Sequence, residues 1–354
     1  MKRLSHHQRT YLERRSLRVP RHVSLARRRL KIRHRPRKRS QNRVFLKAAP
    51  ENFHLTDVVC RQGLFSFFDD VDVALALGRN VKLSFKNTRK MFPCGTLVFL
   101  ARLDLWLAKY PRKITCDYPD DEVVEQLLQH FSVLSKLGLN HRKEINSDRV
   151  AYWHFYSGSK ADLSGFKDVT LSIIKGIEHP QKELFADCLN EAVVNTVHHA
   201  YKSYSEAEMP SGLRRWWILS QFRGDRMYVA IYDVGEGIPG TLKRKPEWLE
   251  FFRHRHYNDD RTIESAIVSK RTSTLQPERG QGLPEMLEFS QSLKGGGLSI
   301  ISSKGAFEYD ADNDTPRRRK YSSPLQGTLV QWAIPFRKEQ ENGNHERINS
   351  QTVQ

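Results

Sequence analysis

The sequence predicts an α+β protein of two domains behind a basic arm. Three observations lead there. Residues 81–139 alternate strand, helix, strand and helix patterns. A helical apolar stripe over 181–202 is followed by strand-like runs at 229–233 and 327–335, each next to glycines. The positive charge is concentrated in the first 43 residues, too densely to enter a core.

A chain of 354 residues suggests about two domains, and 38% hydrophobic content suffices for packed cores. No apolar run approaches the roughly 18 residues of a membrane span. Cys60, Cys94, Cys116 and Cys188 are widely separated and show no C-x-x-C spacing, so neither zinc nor a disulfide framework is expected. A reducing, cytoplasmic setting is the simplest one.

The net charge is +19, and residues 1–43 hold 17 Lys and Arg against one acid, Glu13, so sixteen of the excess charges lie there. The densest part is ARRRLKIRHRPRKRSQNR, residues 26–43. An arm of this kind (residues 1–45) repels itself and is expected to be disordered. Its natural partners are polyanions: nucleic acid first, then acidic membrane surface, then an acidic protein or ribosome. A merely solubilising leader remains the alternative.

The middle region, 53–160, starts from the strand VKLSF (81–85) and a loop containing Pro93. Thr96–Tyr110 reads as a mostly buried helix, and KITCDYP (113–119) as a strand. EVVEQLLQHFSVLSKLGL (122–139) reads as one amphipathic helix ending at Gly138. The order implies a small sheet covered by helices. It resembles a STAS-like domain, in which the loop before the first helix carries a phosphorylatable hydroxyl. Here Thr88 and Thr96 are the only hydroxyls in that loop. A packing or dimerisation domain is the competing reading. Residues 150–180 continue with VAYWHFYSG and DVTLSIIKGI; the aromatics Tyr152, Trp153, Phe155 and Tyr156 are expected in a core or interface rather than stacking on bases.

In QKELFADCLNEAVVNTVHHAYK (181–202), Leu184, Phe185, Cys188, Leu189, Ala192, Val193, Val197 and Ala200 form a buried helical stripe. Glu191, Asn195 and His199 recur every four residues on a second one. Carboxylate, carboxamide and imidazole in a row can serve a hydrated cation and a water. Mg²⁺ keeps several waters, so one Asn oxygen plus substrate phosphates would suffice. A solvated helix face explains the same pattern.

Three further pieces follow in order: VAIYDVGEGIPG (229–240), RGQGL (279–283) and GTLVQWAIP (327–335). Together with NEAVVNTVHHAY the set resembles the N box, two glycine boxes and Gly-Thr box of the GHKL superfamily, the histidine-kinase-like ATPases. The N box is closest to that of the anti-sigma-factor serine kinases. The resemblance covers residues 165–337. It implies a Bergerat-type α/β sandwich, a mixed sheet with helices on one face, and ATP with Mg²⁺ as cofactors.

Carried over residue by residue, the resemblance gives Asn195 to Mg²⁺ and makes Glu191 the catalytic group that orients or deprotonates water or a hydroxyl acceptor. His199 would touch phosphate or support Asn195. Asp233 would accept the adenine amino group, with Thr328 bonded to it or to adenine. Gly235 and Gly237 let backbone approach the base. Gly280 and Gly282 precede the EMLEFSQSL helix, whose N-terminus would face phosphate, with Lys270, Arg271 and Arg279 as phosphate contacts. Ile238–Arg279 would be a mobile ATP lid.

A sensor kinase's H-E-[LF]-[RK] stretch is missing; His141 is followed by RKEI. About twenty residues after Phe336 leave no room for a transducer domain, and 338–354 read as a disordered tail. The expectation is a cytosolic, prokaryotic protein that binds Mg-ATP as a switch or slow ATPase acting on a protein partner. An anti-sigma-type serine/threonine kinase and an ATP-gated nucleic-acid-associated protein are the alternatives, and a homodimer is among the expected assemblies.

Overall fold

The computed structural model describes residues 44–166, 181–244, 248, 258–268 and 282–335. Residues 1–43 of the basic arm, the DVTLSIIKGI run and the tail lie outside them, and the arm's expected last residue, Phe45, instead opens a strand. The described chain is mixed α+β, built on a three-stranded and a five-stranded sheet.

The first sheet uses β1 (Phe45–Ala48), β3 (Val81–Ser84) and β5 (Ile114–Cys116), all parallel in the order β1-β3-β5. β2 (Asn52–Phe53) and β4 (Lys90–Met91) form a separate short pair. Parallel neighbours require crossovers, supplied by α1 (Val58–Ala76) and α2 (Pro93–Lys109). Asp57 caps α1 by accepting the Cys60 amide at 2.7 Å, and Pro93 opens α2 in the first turn, where its missing N–H is harmless. β1 and α1 precede the elements the sequence pattern picks out. The single helix expected over 122–139 is two: α3 (Glu122–His130) and α4 (Val133–Lys136). Ser132 has φ of +56°, a left-handed conformation that no α-helix accommodates.

After α5 (Asp148–Ala151), the second sheet runs β6 (Trp153–Gly158), β7 (Trp216–Arg223), β8 (Arg226–Asp233), β10 (Thr315–Pro335) and β9 (Gly297–Asp310) in that spatial order. All four pairings are antiparallel, so the sheet is not mixed among the described residues. On one face lie α6 (Gln181–Asn195), α7 (Gly237–Leu242), α8 (Asp259–Val268) and α9 (Gly282–Gln291). Phe185, Cys188 and Leu189 of α6 and Met286 and Phe289 of α9 share a core with Ile218, Val229, Ile231, Val330 and Trp332.

The expectation of helices on one face only is corrected by the other face. There Trp217, Leu219, Ala230, Tyr232 and Leu329 join the core of the N-terminal module. Polar contacts pin the two together. Trp217 Nε1 donates to Asp104 of α2 at 3.0 Å, and Cys94 Sγ donates to Gln331 Oε1 of β10 at 2.6 Å. Burial on both faces is why runs such as WWIL and YVAIYD are nearly continuous in apolar residues rather than alternating with polar ones. Trp153 is buried, while Tyr156 packs against Trp216, so these two aromatics serve the core. Thr88 and Thr96 are both fully buried, which removes them as accessible phosphorylation sites. No helix among the described residues is long and apolar enough to cross a membrane.

Candidate functional site

Strand register lines up one row across the second sheet. Gly158 pairs with Trp216, Trp216 with Asp233, Asp233 with Thr328, and Thr328 with Ser302. Residues directly opposite in an antiparallel ladder share a face, so Asp233, Thr328 and Ser302 stand side by side. This is the face that carries α6.

Asp233 ends β8 and is buried, with 6% of its surface exposed. Its Oδ1 accepts the Gly235 amide at 2.8 Å. Burial pushes the carboxyl up to about 7, against the opposing pull of the Gly235 and Thr328 amides. Such a group gains from a ligand that donates a hydrogen bond to its ionised form.

The glycines around it are sites of close approach. A Cβ on Gly235 would overlap the Ala200 carbonyl, and the next amide, Glu236, donates to that carbonyl at 2.9 Å. Gly237 has φ of +75° and Gly327 +82°, conformations suited to glycine. A Cβ on Gly237 would meet Ser302 Oγ, and one on Gly327 the Asp233 carbonyl. Ser302 Oγ joins the pieces: it donates to the Gly327 carbonyl at 2.8 Å, accepts the Ile238 amide at 2.9 Å, and lies 3.2 Å from Thr328 Oγ1. Tyr201 works from behind, its hydroxyl donating to the Arg215 carbonyl and accepting the Val234 amide at 3.2 Å.

Glu191 and Asn195 meet on α6, where Asn195 Nδ2 donates to Glu191 Oε1 at 3.2 Å. That leaves the Asn195 Oδ1 uncommitted in this pair, an oxygen of the kind Mg²⁺ prefers. Glu191 is half-buried and its pKa is raised, first by burial and then by Glu285; Asn195 and His198 oppose the rise. Gly282 packs directly on it, since a Cβ there would overlap the Glu191 side chain. Gly282 therefore sits inside the first turn of α9 and sets the α6–α9 distance, rather than preceding the helix.

The expected third member of the stripe is displaced. The α-helix stops at Asn195, and Thr196–Ala200 forms a π-turn. Its wider turn breaks the four-residue repeat before His199. His199 is half-buried there, its ring 6.4 Å from that of His198. Single-turn π-bulges recur at functional sites.

Lys270, Arg271, Arg279 and Gly280 lie outside the described residues. Of the expected lid, residues 238–242 of α7 and all of α8 are helical; residues 245–247, 249–257 and 269–281 lie outside the description. Among the described residues no group of three His, Cys, Asp or Glu side chains could hold a metal. Ser302, Tyr201 and Glu285 are additions that sequence reasoning missed. A serine inside the strand GLSIISSKGAFEYD carries no local signal of its own; only the register reveals it. No protein-family model and no curated protein matches the chain.

Proposed function

We propose that this chain is a GHKL-type ATP-binding protein, with a Bergerat-type domain at 165–337, that takes Mg-ATP and works as an ATP-gated switch or slow ATPase on a protein partner. The observation that carries the reading is the convergence of three separated motifs, at Ala200, Asp233–Gly237 and Gly327–Thr328, on one buried carboxylate. Asp233, held by amides and poised near neutrality, is the acceptor an adenine amino group needs. Thr328 and Ser302 supply hydroxyls beside it. Asn195 Oδ1 would hold Mg²⁺, which supplies charge neutralisation at the phosphates when bound. Glu191, half-buried and paired with Asn195, would orient a water or a hydroxyl on the acceptor.

Calorimetry with Mg-ATP on wild type, Asn195→Ala and Asp233→Asn tests this. Tight binding weakened by both substitutions supports the reading. A folded wild-type protein that takes no nucleotide overturns it.

Transfer to a protein serine or threonine is the second reading, because the Glu191-x-x-x-Asn195 arrangement serves a hydroxyl acceptor as well as water. Following γ-labelled ATP with and without candidate acceptor proteins separates the two. The N-terminal module, which we read as STAS-like, would hold the partner. The charge of residues 1–43 favours a polyanion as a second ligand. Nucleic-acid affinity that falls steeply with salt and vanishes on deleting those residues would support it. A cytosolic location fits this reading.

A further inference from the structure

We propose that Arg61, which belongs to the N-terminal module rather than to the candidate site, is a positioning residue for that site and couples the module to it. The inference rests on the nucleotide reading of Asp233 and Thr328.

Arg61 lies on α1 and is 1% exposed. A buried guanidinium normally has a carboxylate partner, yet no ion pair is found for Arg61 among the described residues. Its charge is instead held by carbonyls and rings. Nη1 donates to the Leu55 carbonyl at 3.3 Å and Nη2 to the Ser323 carbonyl at 3.0 Å. The guanidinium sits 3.9 Å from the Tyr321 ring centre and 4.7 Å from that of Phe65. Leu55 and Phe65 belong to its own module; Tyr321 and Ser323 belong to β10.

That stretch of β10 is irregular. Its pairing with β9 shifts register between Lys320 and Leu325 and again between Leu325 and Thr328. Between Lys320 and Leu325 the register with β9 is interrupted, and there Arg61 holds the Ser323 carbonyl. The segment then runs directly into the site. Gln326 Nε2 donates to the Val234 carbonyl at 3.0 Å, and the Gln326 carbonyl accepts Tyr232 Oη at 2.8 Å. Gly327 lies against the Asp233 carbonyl, and Thr328 pairs with Asp233. Arg61 thus fixes one end of the stretch 321–328, whose other end places Gly327 and Thr328. A ligand that holds Thr328 must tighten the grip on α1 by the same factor that α1 tightens the ligand.

The test compares wild type with Arg61→Met, which keeps an unbranched apolar stem but removes the guanidinium and its charge, and with Tyr321→Leu and Tyr321→Phe. Mg-ATP affinity is read by calorimetry, and amide exchange over 58–65 and 321–328 is followed with and without Mg-ATP. We expect Arg61→Met and Tyr321→Leu each to weaken Mg-ATP about tenfold, the double variant to lose little more, and Tyr321→Phe to behave as wild type. Mg-ATP should slow exchange at 58–65 in wild type and not in Arg61→Met. A purely structural role for Arg61 would leave that nucleotide-dependent difference intact. If Arg61→Met does not fold, Tyr321→Leu carries the same comparison. Wild-type affinity in the folded variants, with exchange in α1 indifferent to nucleotide, overturns the coupling and leaves the ATP site standing. No binding by folded wild type overturns both.

Discussion

Gly282 and Glu191 are in contact so close that only hydrogen fits between them: the space a Cβ would take at 282 is filled by the middle of the Glu191 side chain. The glycine therefore fixes where the carboxylate stands relative to Asn195. Replacing it with alanine forces Glu191 from its place beside Asn195 or pushes α9 away from α6. We expect Gly282→Ala to cost about 1–3 kcal/mol of stability by denaturant titration. On the proposed ATPase reading, turnover should fall at least tenfold relative to wild type while adenine-nucleotide binding is largely kept. Unchanged turnover in a stable variant would remove Glu191 from the chemistry.

Asp233 makes the stability of the ligand-free protein depend on pH. Its folded pKa is about 7, and an unfolded aspartate titrates near 3.9. Between those values the folded state holds a proton the unfolded state has released. Stability is therefore fully present below about pH 4, declines as pH rises, and has lost this contribution above pH 7. In Asp233→Asn that slope disappears, and the variant should be more stable than wild type at pH 8. Urea midpoints of the two proteins at pH 5 and pH 8 check the sign; parallel behaviour of both would show that Asp233 is ionised throughout.

On the proposed nucleotide reading, the same carboxyl would give binding a proton signature. A donor such as the adenine amino group favours the ionised form. Near pH 7 about half of the ligand-free molecules would carry the proton and must release it. Mg-ATP binding measured in buffers of different ionisation enthalpy should show release of about half a proton per site, and none in Asp233→Asn. An observed enthalpy independent of buffer in wild type would argue that the ligand does not meet this carboxylate.

Much of this was legible because it rests on apolar periodicity. The stripe from Leu184 to Val193 makes α6, and it carries Glu191 and Asn195 to one side. The apolar run ending in Asp233 makes β8. What stayed hidden depends on pairing across the chain. Ser302 enters the site only because β9 pairs with β10 at Thr328. His199 leaves its stripe because five residues adopt a wider turn, which no residue in TVHHA dictates. The pattern of 122–139 stays helical through FSVL, while Ser132 breaks the backbone. The run WWIL did contain a usable signal: consecutive buried side chains mean a strand covered on both faces, and α1 and α2 are the cover.

That cover leads to the last expectation. Trp217, Leu219, Tyr232 and Leu329 are at most 1% exposed, on the face opposite the candidate site. Each large apolar side chain returned to water costs about 1.5–3 kcal/mol. Trp217 would also lose Asp104, and Gln331 would lose Cys94. Residues 147–354 expressed without the N-terminal module should consequently bind hydrophobic dye, self-associate in sedimentation, and melt without a sharp transition. The chain lacking only residues 1–43 should keep the cooperative melting of the full protein. A monomeric, cooperatively folding 147–354 fragment would show that the module is a detachable partner-binding domain rather than the second wall of the sheet, and would weaken the case for coupling through Arg61 at the same time.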